Sequence, residues 1–159
     1  MTTPLPPGGP WDAPTTLELP RDAGPVAVLA FTGVGFADLG RCFDDGFSRL
    51  AALGPTGPGY AVYTGEVGPG TTFDLTIGFP VREGTVLPED ADGISLTVLP
   101  AGPALALTHH GGFEGLGGSW ARLTDVAGAA RVRGMLEVYT TDPSVTAEPD
   151  LRTDLFLLL

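Results

Sequence analysis

The segment Gly134-Met135-Leu136-Glu137-Val138-Tyr139-Thr140 carries the clearest chemical signal in this sequence, a single carboxylate inside an alternating apolar run. Successive side chains of a strand point to opposite faces, so Met135, Glu137 and Tyr139 share one face and Leu136 and Val138 the other. An acid placed among apolar residues must be satisfied by a cation, by backbone donors or by a positively charged ligand. Two readings follow. Glu137 is either the partner of an internal cation, with Arg152 on the last strand as the candidate, or the charged floor of a ligand site.

Other chemistry is sparse. His109 and His110 are neighbours at a strand end, so they point to opposite sides and cannot chelate one ion together. With Cys42 as the single cysteine and no further histidine, no metal set forms and no metal or cofactor is expected. One of the two histidines is expected to hydrogen-bond near the second helix in a structural role. Ser48, Ser95, Ser119 and Ser144 fall into no Ser-His-acid pattern, so nucleophilic hydrolysis is not expected. The glycines of Gly33-Val34-Gly35 and of Gly65 to Gly70 lack the lysine and spacing of a phosphate loop.

Composition narrows the partners. The formal net charge is −11, from 8 arginines against 19 acids, with no lysine, asparagine or glutamine. Such a surface repels nucleic acid and anionic lipid and attracts cationic small molecules at low salt. A lone cysteine fits a reducing compartment, and no basic region precedes an apolar run at the N-terminus. A cytoplasmic protein with no membrane span is expected.

The elements that must hold Glu137 are read from the chain in order. Residues 1–15, with five prolines and two glycines, are expected to be a flexible arm, with Trp11 as the residue that would dock it on the body. Thr16 to Leu19 and Val26 to Phe31 read as strands paired in a hairpin. Phe36, Leu39, Phe43, Phe47, Leu50 and Leu53 recur at helical spacing, and Gly54 stops the helix. Pro58 to Thr64 and Phe73 to Pro80 are further strands, and residues 82–93 a polar acidic linker. The order then repeats. Gly35-Phe36-x-x-Leu39-Gly40-x-x-Phe43 returns as Gly112-Phe113-x-x-Leu116-Gly117-x-x-Trp120, Val62-Tyr63-Thr64 as Val138-Tyr139-Thr140, and Asp74 as Asp154. The repeats span 16–80 and 94–159 and make one domain, 16–159. The fold expected is α+β: duplicated β-α-β-β modules in one extended antiparallel sheet, both helices on one face and a ligand groove on the other.

Leu99-Pro100-Ala101-Gly102, His109-His110-Gly111-Gly112-Phe113-Glu114-Gly115-Leu116 and Glu137-Val138-Tyr139-Thr140-Thr141-Asp142-Pro143 resemble, in this order, the GyrI-like domains. That family also supplies the effector-binding module of bacterial multidrug-sensing transcription regulators. The resemblance implies paired β-α-β-β (SHS2-type) modules and a groove for bulky, often cationic, hydrophobic molecules, its acid at Glu137 and its tyrosine at Tyr139. It implies two alternatives as well. One is hydrolysis of strained cyclopropane-bearing natural products, with Glu137 as general base and Tyr139 as donor to the leaving fragment. The other is inhibition of a larger protein, as by gyrase-inhibitor-like proteins, through the acidic surface. No DNA-binding domain is expected in this sequence.

The repeat sets Tyr63 against Tyr139 but Ala61 against Glu137, so the site should be asymmetric. The expected ligand contacts are Glu137, Tyr139, Tyr63, Tyr60, Trp120, Phe36 and Phe113, with Val62 and Val138 turned toward the helices. Phe36, Phe113 and Trp120 also occupy the helix stripes, where core packing competes for them. The expected function is binding of small hydrophobic or cationic molecules.

Overall fold

The computed structural model describes residues 9–21 and 23–159. In chain order the elements are β1 (Thr15–Leu19), β2 (Pro25–Val34), a 3-10 turn (Phe36–Asp38) leading into α1 (Leu39–Ala51), β3 (Tyr60–Gly65), β4 (Phe73–Pro80) and β5 (Ile94–Val98). They continue with β6 (Gly102–His110), a second 3-10 turn (Phe113–Gly115) leading into α2 (Leu116–Ala127), β7 (Gly134–Tyr139), a third 3-10 turn (Glu148–Asp150) and β8 (Arg152–Leu158). All eight strands form one antiparallel sheet in the order β1-β6-β8-β7-β3-β4-β2-β5. The succession β2-α1-β3-β4 is repeated as β6-α2-β7-β8, and the two halves meet at the β3–β7 pair.

The expected β1–β2 hairpin does not form. β1 pairs instead with β6 of the second repeat, Leu19 opposite Gly102, and its counterpart β5 pairs with β2 of the first, Val98 opposite Pro25. This exchange shapes the sheet. β1 stands first and β2 seventh in strand order, a separation of roughly 29 Å in a flat sheet at about 4.8 Å per strand. The link from Leu19 to Pro25 reaches at most about 22 Å at 3.6 Å per residue. The still shorter link from Val98 to Gly102 makes the same demand, so the sheet must curl until its edges approach.

The inside of the curl is a packed core. Val26, Val28, Tyr60, Ala104, Ala106, Leu136, Val138, Phe156 and Leu158 fill it, joined by Leu19 at the end of β1 and Leu99 just after β5. Trp11 closes one side: its ring meets Phe156 edge-on at 5.4 Å, and its backbone N–H donates to Thr108 Oγ1 at 2.9 Å while its carbonyl accepts from the Thr108 N–H at 2.7 Å. The part of the arm from Trp11 onward is therefore docked, and Thr15 already belongs to β1; residues 1–8 lie outside the described residues.

Both helices lie on the outer face. Residues directly opposite one another across a ladder share a face, and the row Leu75, Tyr63, Met135, Leu157, Leu105 crosses five strands, from the core under α1 to the core under α2. α1 is buried along Cys42, Gly46 and Leu50, with Leu39, Phe43, Phe47 and Leu53 half-buried beside that line. Gly46 permits this approach, because a Cβ there would overlap the end of the Ile77 side chain and stand 3.2 Å from its Cγ1. α2 buries Trp120 and Leu123. Among the described residues, no helix is long and apolar enough to cross a membrane.

One consequence overturns the expected position of the groove. The face away from the helices is the filled interior of the curl, and Val62 and Val138 point into it. Glu137, Tyr139 and Tyr63 share a face as strand parity requires, but it is the helix-bearing face. The candidate site residues therefore lie over β3 and β7 on the face that carries α1 and α2.

Candidate functional site

Glu137 is the polar member of a row that otherwise reads Ile77, Ala61, Leu155, Leu107 across the sheet. It is 5% exposed. Its Oε1 accepts from the Tyr139 hydroxyl at 2.7 Å and from the Tyr63 hydroxyl at 3.0 Å, and its Oε2 accepts from Trp120 Nε1–H at 2.9 Å. All three donors are neutral. Among the described residues no cation pairs with Glu137, the ion pairs being Arg41–Asp38, His110–Asp12 and Arg152–Asp154.

The internal pair with Arg152 is thereby set aside. Arg152 forks onto Asp154, Nε to Oδ1 and Nη2 to Oδ2, each at 3.0 Å, and Asp154 also accepts from the Thr108 hydroxyl at 2.8 Å. Thr108 and Asp154 are opposite each other on the face that bears Val138, so the sheet separates this ion pair from Glu137. A buried acid stripped of water and given only dipolar partners retains an unmatched charge.

Burial first, and then the charge of Glu137, push the hydroxyls of Tyr63 and Tyr139 well above the ordinary tyrosine range. Both therefore remain donors at neutral pH. The Tyr139 ring is surrounded by aromatic neighbours in edge-on contact: Phe43 at 6.2 Å and Phe47 at 6.1 Å from α1, and Phe113 at 6.1 Å from the turn before α2. Phe43 and Phe47 stack on each other at 5.8 Å with planes 7° apart. Phe73 touches Tyr63 at 5.8 Å and Phe36 at 5.8 Å.

The expected contacts separate accordingly. Glu137, Tyr139, Tyr63 and Trp120 meet at one point, with Trp120 at once a core residue and a donor. Phe113 forms the rim, 43% exposed, and Phe36, 48% exposed, reaches the site only through Phe73. Tyr60 is excluded. It projects into the curl, where Gly78 makes room for it: a Cβ on Gly78 would stand 2.8 Å from the Tyr60 hydroxyl. Phe43, Phe47 and Phe73 were not among the expected contacts. The repeat offset that pairs Phe43 with Trp120 is the signal that finds the first of them.

Two further polar groups occupy the helix-bearing face beside Tyr139. Thr153 lies opposite Tyr139 on one side and His109 on the other, is 1% exposed, and its hydroxyl has no hydrogen-bond partner among the described residues. His109 contacts Ser119 Oγ through Nδ1 at 2.7 Å and the Gly112 carbonyl through Nε2 at 2.8 Å, tying β6 to the start of α2. Among the described residues, no three His, Cys, Asp or Glu side chains come together as metal ligands.

No protein-family model and no curated protein matches the sequence. The fold does have solved counterparts. An uncharacterized conserved protein from Listeria innocua superposes with a TM-score of 0.72 at 15% identity, over 93% of this chain and 92% of that one. The C-terminal domain of EcmrR matches with a TM-score of 0.71 at 13% identity, over 91% and 95%. SAV2435, in a structure bound to tetraphenylphosphonium, matches with a TM-score of 0.62 at 10% identity, over 91% and 92%. At these identities the likeness is one of fold: α+β, a single eight-stranded antiparallel sheet with two helices.

Proposed function

We propose that this chain binds bulky hydrophobic cations between α1 and α2, with Glu137 as the charge partner and Tyr139, Tyr63, Trp120, Phe113, Phe43 and Phe47 as the surrounding contacts. The observation that carries this reading is the buried carboxylate supplied with three neutral donors and, among the described residues, no cation. A ligand cation recovers electrostatic stabilisation that none of the described residues provides. The aromatic edges and faces around Tyr139 suit such a guest, each cation–π contact being worth about 0.5–2 kcal/mol. The net charge of −11 adds a field that favours its approach. Hydrolysis through the same acid is less well supported, because Oε1 already accepts from both tyrosines and Oε2 from the indole, which leaves no oxygen of the acid free to take a proton from water.

Tetraphenylphosphonium, which the related fold SAV2435 binds, is the probe of choice, with triphenylphosphine oxide as its neutral counterpart. Binding of the cation should raise the melting temperature of the wild-type protein. Glu137→Gln should weaken it by about tenfold or more, roughly 1.4 kcal/mol, and leave the neutral probe unchanged. Equal affinity of both proteins for the cation would defeat the reading.

A further inference from the structure

We propose that Ser119 and His109 form a nucleophile–base pair, a second site on the flank of α2 that takes an acyl group from small activated esters. It is independent of Glu137.

Three observations carry it. The first is the direction of the hydrogen bonds. The Gly112 carbonyl can only accept, so His109 Nε2 carries the proton that faces it at 2.8 Å. In the neutral imidazole, Nδ1 is then a bare acceptor, and the contact at 2.7 Å is the Ser119 hydroxyl donating to it. Nucleophile, base and orienting group stand in the relation that activates a hydroxyl, with a backbone carbonyl in the orienting role.

The second is that the imidazole is held in place. His109 is buried, and a Cβ added to Gly115 would stand 2.8 Å from its Cε1, so the turn before α2 closes against the ring. Negative charge stands near: a Cβ on Gly112 would meet Glu114 Oε2 at 2.5 Å and Glu148 Oε1 at 2.6 Å. Both carboxyl groups thus sit over Gly112, the residue whose carbonyl orients His109.

The third is access. Ser119 is half-buried rather than sealed, and its helical neighbours Gly117 and Gly118, like Gly111 in the preceding turn, would meet nothing within 4 Å if given a Cβ. A small acyl carbonyl can approach the hydroxyl over this bare stretch of backbone. Ser119 Oγ then bonds to the acyl carbon as its proton passes to His109 Nδ1. The C–O bond to the leaving alcohol breaks, and the alkoxide leaves with that proton. Water attacks the acyl-serine, gives its proton to His109, and the acid departs as Ser119 is regenerated.

The test uses a fluorophosphonate probe on the intact protein, read by whole-protein mass and peptide mapping. A single adduct on Ser119 is expected. Ser119→Ala should remove it, and His109→Gln should slow its formation about a hundredfold or more. Glutamine separates base from tether, because its amide can still accept from Ser119 and donate to Gly112 but cannot take up a proton. Unchanged melting of His109→Gln together with lost labelling supports the proposal. A wild-type protein that stays unlabelled, or a His109→Gln variant that labels at the wild-type rate, overturns it.

Discussion

Tyr63 and Tyr139 occupy equivalent places in the two repeats and donate to the same atom, Oε1 of Glu137, at 3.0 and 2.7 Å. The pseudo-twofold symmetry of the sheet delivers a matched pair of hydroxyls across the β3–β7 junction, and the departure from symmetry at Ala61 and Glu137 supplies one acid for both. Had both repeats carried the acid, two carboxylates would face each other directly across this ladder, and like charges so placed repel. A single acid between two phenols and an indole avoids that repulsion and leaves one unit of charge for a partner.

The same arrangement predicts a steep alkaline limit to stability. All three tyrosines of the chain, Tyr60, Tyr63 and Tyr139, have hydroxyls pushed above the ordinary value, by burial first and, for the latter two, also by Glu137. Below about pH 10 both states keep these protons and nothing is lost. Above it the unfolded chain releases them while the folded one retains them, so the unfolded state binds fewer protons and stability falls as pH rises. Each tyrosine contributes up to about 1.4 kcal/mol per pH unit. In a spectrophotometric titration the phenolate absorbance should appear together with the loss of the far-UV signal; ionisation of any tyrosine in the folded protein near pH 10 would contradict this.

Much of this site is legible in the sequence, and the reason is parity. Strand alternation places Glu137, Tyr139 and Tyr63 on one face without any knowledge of the tertiary structure, and the internal repeat locates their symmetry. Which face that is cannot be read the same way. It depends on the curl of the sheet, and the curl depends on β1 and β5 exchanging partners between repeats, a long-range event that leaves no local signature. The same event turned an expected hairpin into two crossed strands and an expected open groove into a core. Tyr60 was misplaced for a local reason: it stands an odd number of residues from Tyr63, so alternation alone sends it to the opposite face. Phe43 and Phe47 stand on the helical stripe in the sequence, and a stripe does not say which of its edges meets the sheet and which faces Tyr139.

Thr153 and Thr108 should respond oppositely to the same change. The Thr153 hydroxyl is buried without a partner among the described residues, so Thr153→Val should leave stability unchanged or raise it by about 1 kcal/mol. Thr108 donates to Asp154 and accepts from the Trp11 N–H, so Thr108→Val leaves the Trp11 N–H without its acceptor and removes one bond to Asp154, whose Arg152 fork remains, and should cost about 1–3 kcal/mol. Denaturant melts of the two variants decide it. A loss at Thr153 equal to that at Thr108 would mean that its hydroxyl is satisfied after all.

Glycine-to-alanine changes in the two helices should likewise differ in sign. At Gly46 the added Cβ collides with the fully buried Ile77, an overpacking cost of about 1–3 kcal/mol that outweighs the gain in helix propensity. At Gly118 the Cβ meets nothing within 4 Å, and the propensity gain of up to about 1 kcal/mol should appear in full. Thermal melts that rank Gly46→Ala above Gly118→Ala would refute the close packing of α1 on β4.

The bond from Trp120 to Glu137 allows the charge of the acid to be separated from its hydrogen bonds. Glu137→Gln keeps most of these bonds: the amide oxygen can accept from Trp120 Nε1–H, the amide N–H groups can donate to the tyrosine hydroxyls, and one hydroxyl can turn to donate to the other. Loss of the buried charge and its desolvation cost offsets the one hydroxyl left without an acceptor. Stability should therefore stay within about 1 kcal/mol of wild type. Trp120→Phe removes a donor to a charged acceptor and should cost about 1.5–3 kcal/mol for that bond, and more for the smaller ring. In the Glu137→Gln background the bond becomes a neutral one, so the same substitution should cost less, with a coupling of about 1 kcal/mol between the two sites. The four proteins of this double-mutant cycle, unfolded in denaturant, give the coupling directly. If the two substitutions add to within about 0.3 kcal/mol, the indole contributes packing alone, and the acid must draw its stabilisation from the two tyrosines.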